Sequence, residues 1–303
     1  MATAAAIRQR VRNYLYGVFP TEAPFVSRIT ASYTNVATSV TVFEDDYWEV
    51  NDILENPATE EQMIVLAKPG ANVLTVSRGW NNTTNLASVG TTDNVYKNPR
   101  FTVDQIDVAI DQVIASLEQW GIHIHGQGAI VRVDPKEFYE LTETDILEDI
   151  GVYKVYEVDD NYEFPRALPF RYQHSLGIGP VEYTTTGHGV HVLDWGNRNN
   201  GESVFFLYAK KIDNVTDLLT RQEELVVVGA AGLLLGATVI PATHDPGART
   251  DRTVPPGQTT RDVRYLQGRF FTEARLEEGK LAVERKKSVH ETPRYARARR
   301  WVS

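Results

Sequence analysis

Apolar positions recur at helical spacing near the start of the chain: Ile7, Val11, Tyr14, Leu15 and Val18 predict one amphipathic helix. Gly17 and Pro20 stop it, and its other face carries Arg8, Arg10 and Arg12. From Val26 to Asn98 the pattern changes to short runs rich in β-branched residues: Val40–Phe43, Trp48–Val50, Met63–Leu66 and Val73–Val76. Asp45-Asp46, Asn56-Pro57, Pro69-Gly70 and Asn81-Asn82 separate them, which predicts a small antiparallel barrel or sandwich. Thr102 and Gln105 then form a capping box ahead of a stripe at Ile106, Ile110, Val113, Ile114 and Leu117. Gly121 ends that second helix.

Strand patterns return over residues 128–215, at Ile130–Val133, Val152–Val158, Gly189–Leu193 and Ser203–Tyr208. An acidic stretch, Pro135 to Asp149, reads as a helix between them. Asp217 to about Ala237 is an apolar, glycine-bearing helix, and six Pro or Gly make 241–260 a loop. Arg261 to Val289 reads as one long helix with Val263, Leu266, Phe270, Ala274 and Leu281 on its buried side. Four helices so distant in sequence, each too apolar on one face to stand alone, pack most economically with one another. The expected fold class is therefore α+β, a helical bundle built from sequence-distant helices with two antiparallel β units inserted. Its parts are an N-terminal bundle helix (1–20), a small β barrel or sandwich (21–100), a bundle helix (101–122), a second β unit (123–215), the C-terminal bundle helices (216–290) and a basic arm (291–303).

Charge adds an asymmetry to this picture. The formal net charge is −9, yet residues 244–303 hold 14 Lys or Arg against 8 Asp or Glu, leaving 17 against 32 in residues 1–243. An acidic body repels a nucleic-acid backbone and does not clamp it. Cysteine is absent, which excludes disulfides, thiol nucleophiles and Cys-ligated metal, and fits a reducing compartment. Met1 to Arg8 carries no apolar core of signal-peptide length, so export by that route is not expected. The longest apolar run, Leu225–Ile240, is shorter than the ~20 residues of a spanning helix, and no membrane span is expected.

Signs of catalysis are sparse. No phosphate-binding loop, nucleophile elbow or zinc-protease helix is present. Gly177-Ile178-Gly179 is followed at once by Pro180 and reads as a turn. His123 with His125, and His188 with His191, are candidate metal pairs lacking a local third ligand, so structural use is the competing reading. Asp45-Asp46 and Asp159-Asp160-Asn161 lack the glycine and glutamate of a calcium loop and read as turns. Gly229, Gly232 and Gly236 let the apolar helix approach a neighbour closely, either within the chain or in an adjoining subunit. No enzymatic activity, cofactor or metal is expected.

Three segments carry a resemblance: Glu61–Leu66, then Val73 through Thr84, then Val95–Phe101 leading into the capped helix. Together they are similar to head–tail connector proteins of tailed bacteriophages, also called head-to-tail adaptors. Relatives carry an Arg-Gly-aromatic-Asn-Gly-Thr turn and then Asn-Pro-Arg-Phe before a helix. Here Arg78, Gly79, Trp80 and Asn81 match, Asn82 stands where glycine is usual, and Asn98 to Phe101 match. Leu225–Leu235, the loop Asp245–Arg249 and a long helix opening Arg261–Leu266 recur in the same order, so the resemblance spans residues 1–120 and 215–290.

The resemblance implies a structural virion protein made in the host cytoplasm. It implies a ring, commonly of twelve copies, beneath the portal protein, extending the DNA channel toward the next neck or tail protein. Double-stranded DNA would pass through without specific binding. The C-terminal arm would dock on the portal through Arg294, Tyr295, Arg297, Arg299, Arg300 and Trp301, and Gly229, Gly232 and Gly236 would serve subunit packing. Another neck protein, a stopper or tail terminator, is an alternative. A carbohydrate-binding or carbohydrate-processing protein is a second, with Trp48, Trp80, Trp120, Trp195 and Trp301 as sugar-stacking candidates.

Overall fold

A computed structural model of the chain describes residues 3–18, 24–87, 93–134, 138–158, 166–174, 188–195, 199–244 and 258–290. Thirteen strands in three antiparallel sheets and four α-helices lie among these residues. The chain divides into two compact units, one comprising Ala2–Val113 with Glu223–Phe270, the other Ile114–Gln222 with Phe271–Ser303.

In the first unit α1 (Ala4–Val18) precedes six strands: β1 (Phe25–Arg28), β2 (Ser39–Thr41), β3 (Ile53–Asn56), β4 (Glu61–Gly70), β5 (Val73–Ser77) and β6 (Asn94–Lys97). They form one sheet in the order β1-β6-β3-β4-β5-β2. Its two edges meet at a bridge between Ile29 and Val42, with Thr30 N–H donating to Thr41 and Phe43 N–H to Arg28, so the sheet curls toward closure. Closing a sheet removes edges that would otherwise pair with other chains. Alternate residues point inward, and Ile29, Val42, Trp48, Leu54, Met63 and Leu74 share its dry core. The β4–β5 hairpin turns at Ala71 and Asn72, both with positive φ as a tight two-residue loop requires. Trp48 is fully buried but lies in a turn, so the expected strand at Trp48–Val50 is absent; Asp45 and Asp46 supply the turn that tucks its indole inward.

The second unit is a sandwich. One sheet contains β7 (Ile124–Val131), β9 (Val152–Glu157), β10 (Arg166–Leu168) and β13 (Ser203–Lys210) in the order β10-β9-β13-β7. The other contains β8 (Phe138–Glu140), β11 (Phe170–His174) and β12 (His188–Val192) in the order β11-β12-β8. Val155, Val204 and Phe206 of the first meet Tyr139, Val190 and Val192 of the second in one core. Gly126 and Gly128 pair in register with Tyr208 and Phe206, whose rings lie over them; a Cβ at Gly126 would sit 2.3 Å from the Tyr208 ring. The expected helix at Pro135 to Asp149 is contradicted among its described residues: 138–140 is a strand and 141–149 is irregular with a bridge from Ile146 to Lys210, because Tyr139, Leu141 and Ile146 are drawn into the sheet core.

The remaining helices are α2 (Val103–Gln119), α3 (Thr220–His244) and α4 (Gln258–His290). The capping box forms as expected, Thr102 N–H donating to Gln105 Oε1 and Gln105 N–H to Thr102 Oγ1. Helix α3 continues through Pro241 to His244, beyond the expected stop near Ala237.

The expected fold class is overturned: the protein is β-rich, not a helical bundle carrying β insertions. Both sheet systems hold their own cores, so the helices are not the scaffold from which they project. In the first unit the arginine face of α1 is fastened to the sheet. Arg12 is only 3% exposed, lies 4.3 Å over the Tyr96 ring and pairs with fully buried Glu55 of β3. Glu55 also accepts from Gln62 Nε2 at 3.2 Å and from Val103 N–H, at the first turn of α2, at 2.9 Å. Arg8 adds bonds to Asp107 and Glu60, both at 2.6 Å.

Breaking one half of a buried ion pair leaves an uncompensated charge, which costs about 3–5 kcal/mol. Arg12→Met is expected to destabilise the protein by that amount in chemical denaturation. Arg12→Met with Glu55→Gln is expected to recover much of the loss, since the pair's own contribution is small against its desolvation.

Candidate functional site

Helix α3 is apolar on nearly every side: Leu225, Val226, Val227, Val228, Ala230 and Ala231 are all buried. Such a helix needs neighbours all round. Gly229 provides the closest approach, because a Cβ there would lie 2.9 Å from both Val113 of α2 and the Phe270 ring of α4. At Gly232 and Gly236 a Cβ would meet Leu266 at 3.5 Å and Val263 at 3.8 Å, ordinary contact distances. All three glycines therefore face helices of their own chain.

Past Gly229 the two helices leave a groove of about 490 Å³, floored by Val108 and Ala109 of α2 and Leu233, Leu234 and Ala237 of α3. Val108 is 55% and Leu233 42% exposed. Asp104, Gln105, Gln112 and Arg100 also line it. No sequence reading singled this groove out. The available signal was Val108, an apolar residue standing off the buried stripe of α2.

Charged side chains elsewhere in this unit are absorbed by structure. Arg10 reaches Glu223 at 3.0 Å and Glu224 at 2.5 Å; Tyr14 donates to Glu224 at 2.5 Å, and Arg269 completes the cluster at 3.0 Å. Burial raises the Glu224 carboxyl, but the bonds from Tyr14 and Arg10 outweigh it, and its pKa falls below the usual range. The Arg-Gly-aromatic-Asn turn is a latch. Arg78 grips buried Glu61 through two 2.5 Å bonds and donates to the carbonyls of Thr34, Ala37 and Leu86. Gly79 and Asn81 take left-handed φ there, and Asn81 Nδ2 donates to Gln62 at 2.7 Å.

In the second unit the histidines serve packing. His123 Nδ1 donates to the Gly121 carbonyl at 2.8 Å, leaving Nε2 buried with no hydrogen-bond partner. Burial lowers its pKa to about 4. Tyr153 hydroxyl donates to His125 Nδ1 at 2.6 Å, and His125 Nε2 lies 3.4 Å from Glu284. Arg221 holds that carboxylate and depresses it to about 2. Burial pushes Tyr153 up to about 12, so the hydroxyl keeps its proton and is not primed as a nucleophile. His188 bonds Tyr172 at 2.7 Å, whereas the His191 ring packs 4.4 Å from Phe138, so that pair does not converge. Among the described residues no three His, Cys, Asp or Glu groups could hold a metal ion.

Nor do the described tryptophans make a sugar platform. Trp48 is buried, Trp195 packs on the sandwich core and Trp120 meets Phe271 at 5.6 Å; Trp80 is exposed. No described helix is long and apolar enough to cross a membrane. The arm residues Arg294, Tyr295, Arg297, Arg299, Arg300 and Trp301, the loop Asp245–Arg249, and the turns at 159–161 and 177–180 lie outside the described residues.

No family model matches the chain, and no curated protein matches it. Among solved structures it is similar in part to two neck chains of GTA particles. One comes from the neck of an empty particle computed with C6 symmetry, at 12% identity over 54% of this chain and 77% of that one, with a TM-score of 0.21. The other comes from the neck of a native particle computed with C12 symmetry, at 13% identity over 55% and 82%, with a TM-score of 0.22. Scores of this size carry no argument for a common fold or activity.

The glycine geometry separates two substitutions. Gly229→Ala overpacks against Val113 and Phe270 and is expected to cost about 1–3 kcal/mol. Gly232→Ala has room and is expected to be neutral or to gain up to about 1 kcal/mol of helix propensity. Thermal denaturation of the two variants checks the contrast.

His123 also sets a pH dependence. Its folded pKa lies below the unfolded value of 6.5, so the unfolded chain binds the extra proton between about pH 6.5 and 4. Its contribution is therefore present above pH 6.5 and lost as pH falls toward 4, by roughly 3 kcal/mol at most. His123→Phe is expected to flatten that part of the stability profile, measured by denaturant titration across the window.

Proposed function

We propose that the protein is a non-enzymatic structural component of a phage-like virion neck, a head-to-tail adaptor ring between the portal and the next neck or tail protein. The observation that carries this reading is the open apolar groove between α2 and α3, a surface that a solitary protein has reason to cover. The order of motifs shared with head–tail connector proteins supplies the neck context: the Arg78 turn, Asn98 to Phe101 with its capped helix, the apolar helix and the long α4. An acidic body suits a conduit, since it neutralises few passing phosphates.

In this reading the copies form a ring, commonly of twelve, and no cofactor is needed. The arm docks on the portal, with Arg294, Arg297, Arg299 and Arg300 pairing with acidic groups, while Tyr295 and Trp301 fill apolar pockets. Arginine and aromatic residues are the types that carry binding energy at interfaces.

Deleting residues 293–303 is expected to leave the thermal transition unchanged and to abolish attachment to portal-containing, DNA-filled heads. Occupancy of the truncated protein is read by quantitative blotting of purified particles and by electron microscopy of their necks. Undiminished occupancy would remove the arm as the anchor. A full-length protein absent from every neck would remove the neck reading itself.

A further inference from the structure

The α2–α3 groove has a counterpart on the same chain. Helix α2 carries Asp104, Asp107, Asp111 and Glu118 and no Lys or Arg. Asp107 is taken by Arg8. Asp104, Val108 and Asp111 follow at i, i+4 and i+7, so they share one face about 10 Å long, an apolar centre between two carboxylates. Arg100 at the rim lies over the Phe101 ring.

The opening turns of α4 present the inverse. Val263 and Leu266 are buried against α3, while Arg261, Tyr265 and Gly268 follow at i, i+4 and i+7 on the exposed side, with Arg264 exposed beside Tyr265. Tyr265 is 66% exposed. Asp262 falls off this face and is partly buried. Two arginines within one turn on the N-terminal side of an exposed tyrosine thus stand opposite in sign to the face of α2 that carries Asp104 and Asp111 at the groove. Both lie in the unit Ala2–Val113 with Glu223–Phe270.

We infer that the groove of one copy takes the α4 face of the next, with Tyr265 inserted between Val108 and Leu233 and the Arg261 and Arg264 pair set against the carboxylate-bearing face of α2. The inference rests on the ring reading above and names its contact surfaces. With the groove of each copy engaging the α4 face of the next the contact is heterologous and closes as a ring, whereas reciprocal docking of the two patches would stop at a two-fold dimer. Exposed ion pairs contribute little each, about 0–1 kcal/mol. Tyrosine burial therefore holds the contact, and the charges fix its register and reject like-signed partners.

Two variants test it, both at exposed positions: Val108→Arg blocks the groove, and Tyr265→Ser with Arg264→Glu removes the face. Thermal melts first verify that both fold. Light scattering after size exclusion then reads mass. Wild-type protein is expected as a ring and each variant alone as a monomer. Their equimolar mixture is expected as a dimer of twice the monomer mass, because one intact face meets one intact groove and nothing further can add. Rings or dimers of either variant alone, a mixture that stays monomeric, or wild-type protein monomeric at its highest soluble concentration would each overturn the inference. Variants that still form rings and occupy necks would overturn these surfaces alone. Wild-type rings never found in particle necks would overturn the neck reading alone.

Discussion

One buried carboxylate sets the geometry of the first unit. Glu55 has no exposed surface, and ionised groups taken out of water must be met by donors or they cost several kcal/mol. Its donors come from three separate places: Arg12 of α1, Gln62 of β4 and the backbone amide of Val103 at the start of α2. Negative charge at that last position also complements the positive end of the helix dipole. Both helices are thereby positioned against the sheet by the needs of one charge. Helix-to-helix packing follows from that placement.

This explains which parts of the fold could be read in advance. The capped start of α2 was legible because a capping box is a local device whose partners lie three residues apart. Val40–Phe43, Met63–Leu66 and Val73–Val76 were legible because β-branched alternation reports a half-buried surface. Residues 138–147 were misread because Tyr139, Leu141, Ile146 and Leu147 have no single period; they enter the core one at a time from a strand and its turns. The role of the arginines of α1 was not legible at all. Arg12 stands next to the apolar stripe, and nothing local distinguishes a solvated guanidinium from one whose carboxylate lies 43 residues away. The bundle expectation rested on the apolar faces of the helices alone, which do not say that a sheet is what they cover.

The groove between α2 and α3 was legible only in part for a related reason. An exposed apolar residue in a helix with a clear stripe is visible, and Val108 is one. Leu233 is not, because α3 is apolar throughout and its sequence does not say which side stays uncovered. That side is decided by Gly229, whose missing side chain admits Val113 and Phe270 together. The Gly232 and Gly236 pair, spaced as helix-packing motifs usually are, turns out to be the looser contact. The tight position was the glycine outside the recognisable spacing.

Internal pairing also changes how the charge asymmetry should be understood. Glu55, Glu61, Asp107, Glu223, Glu224, Glu277 and Glu284 are all engaged with arginines inside one unit or the other. Arg10 serves both Glu223 and Glu224 and Arg221 both Glu277 and Glu284, so the pairing leaves the net charge untouched while clearing the interior of loose charges. The difference between an acid-rich early chain and a base-rich late chain then falls on surfaces: carboxylates on the outer face of α2, arginines on the outer face of α4. A surface polarised in this way favours contact between unlike faces of successive copies and disfavours contact between like faces. Polarity of that kind is what the proposed ring would use, and it arises from where along the chain the charges outside these pairs lie.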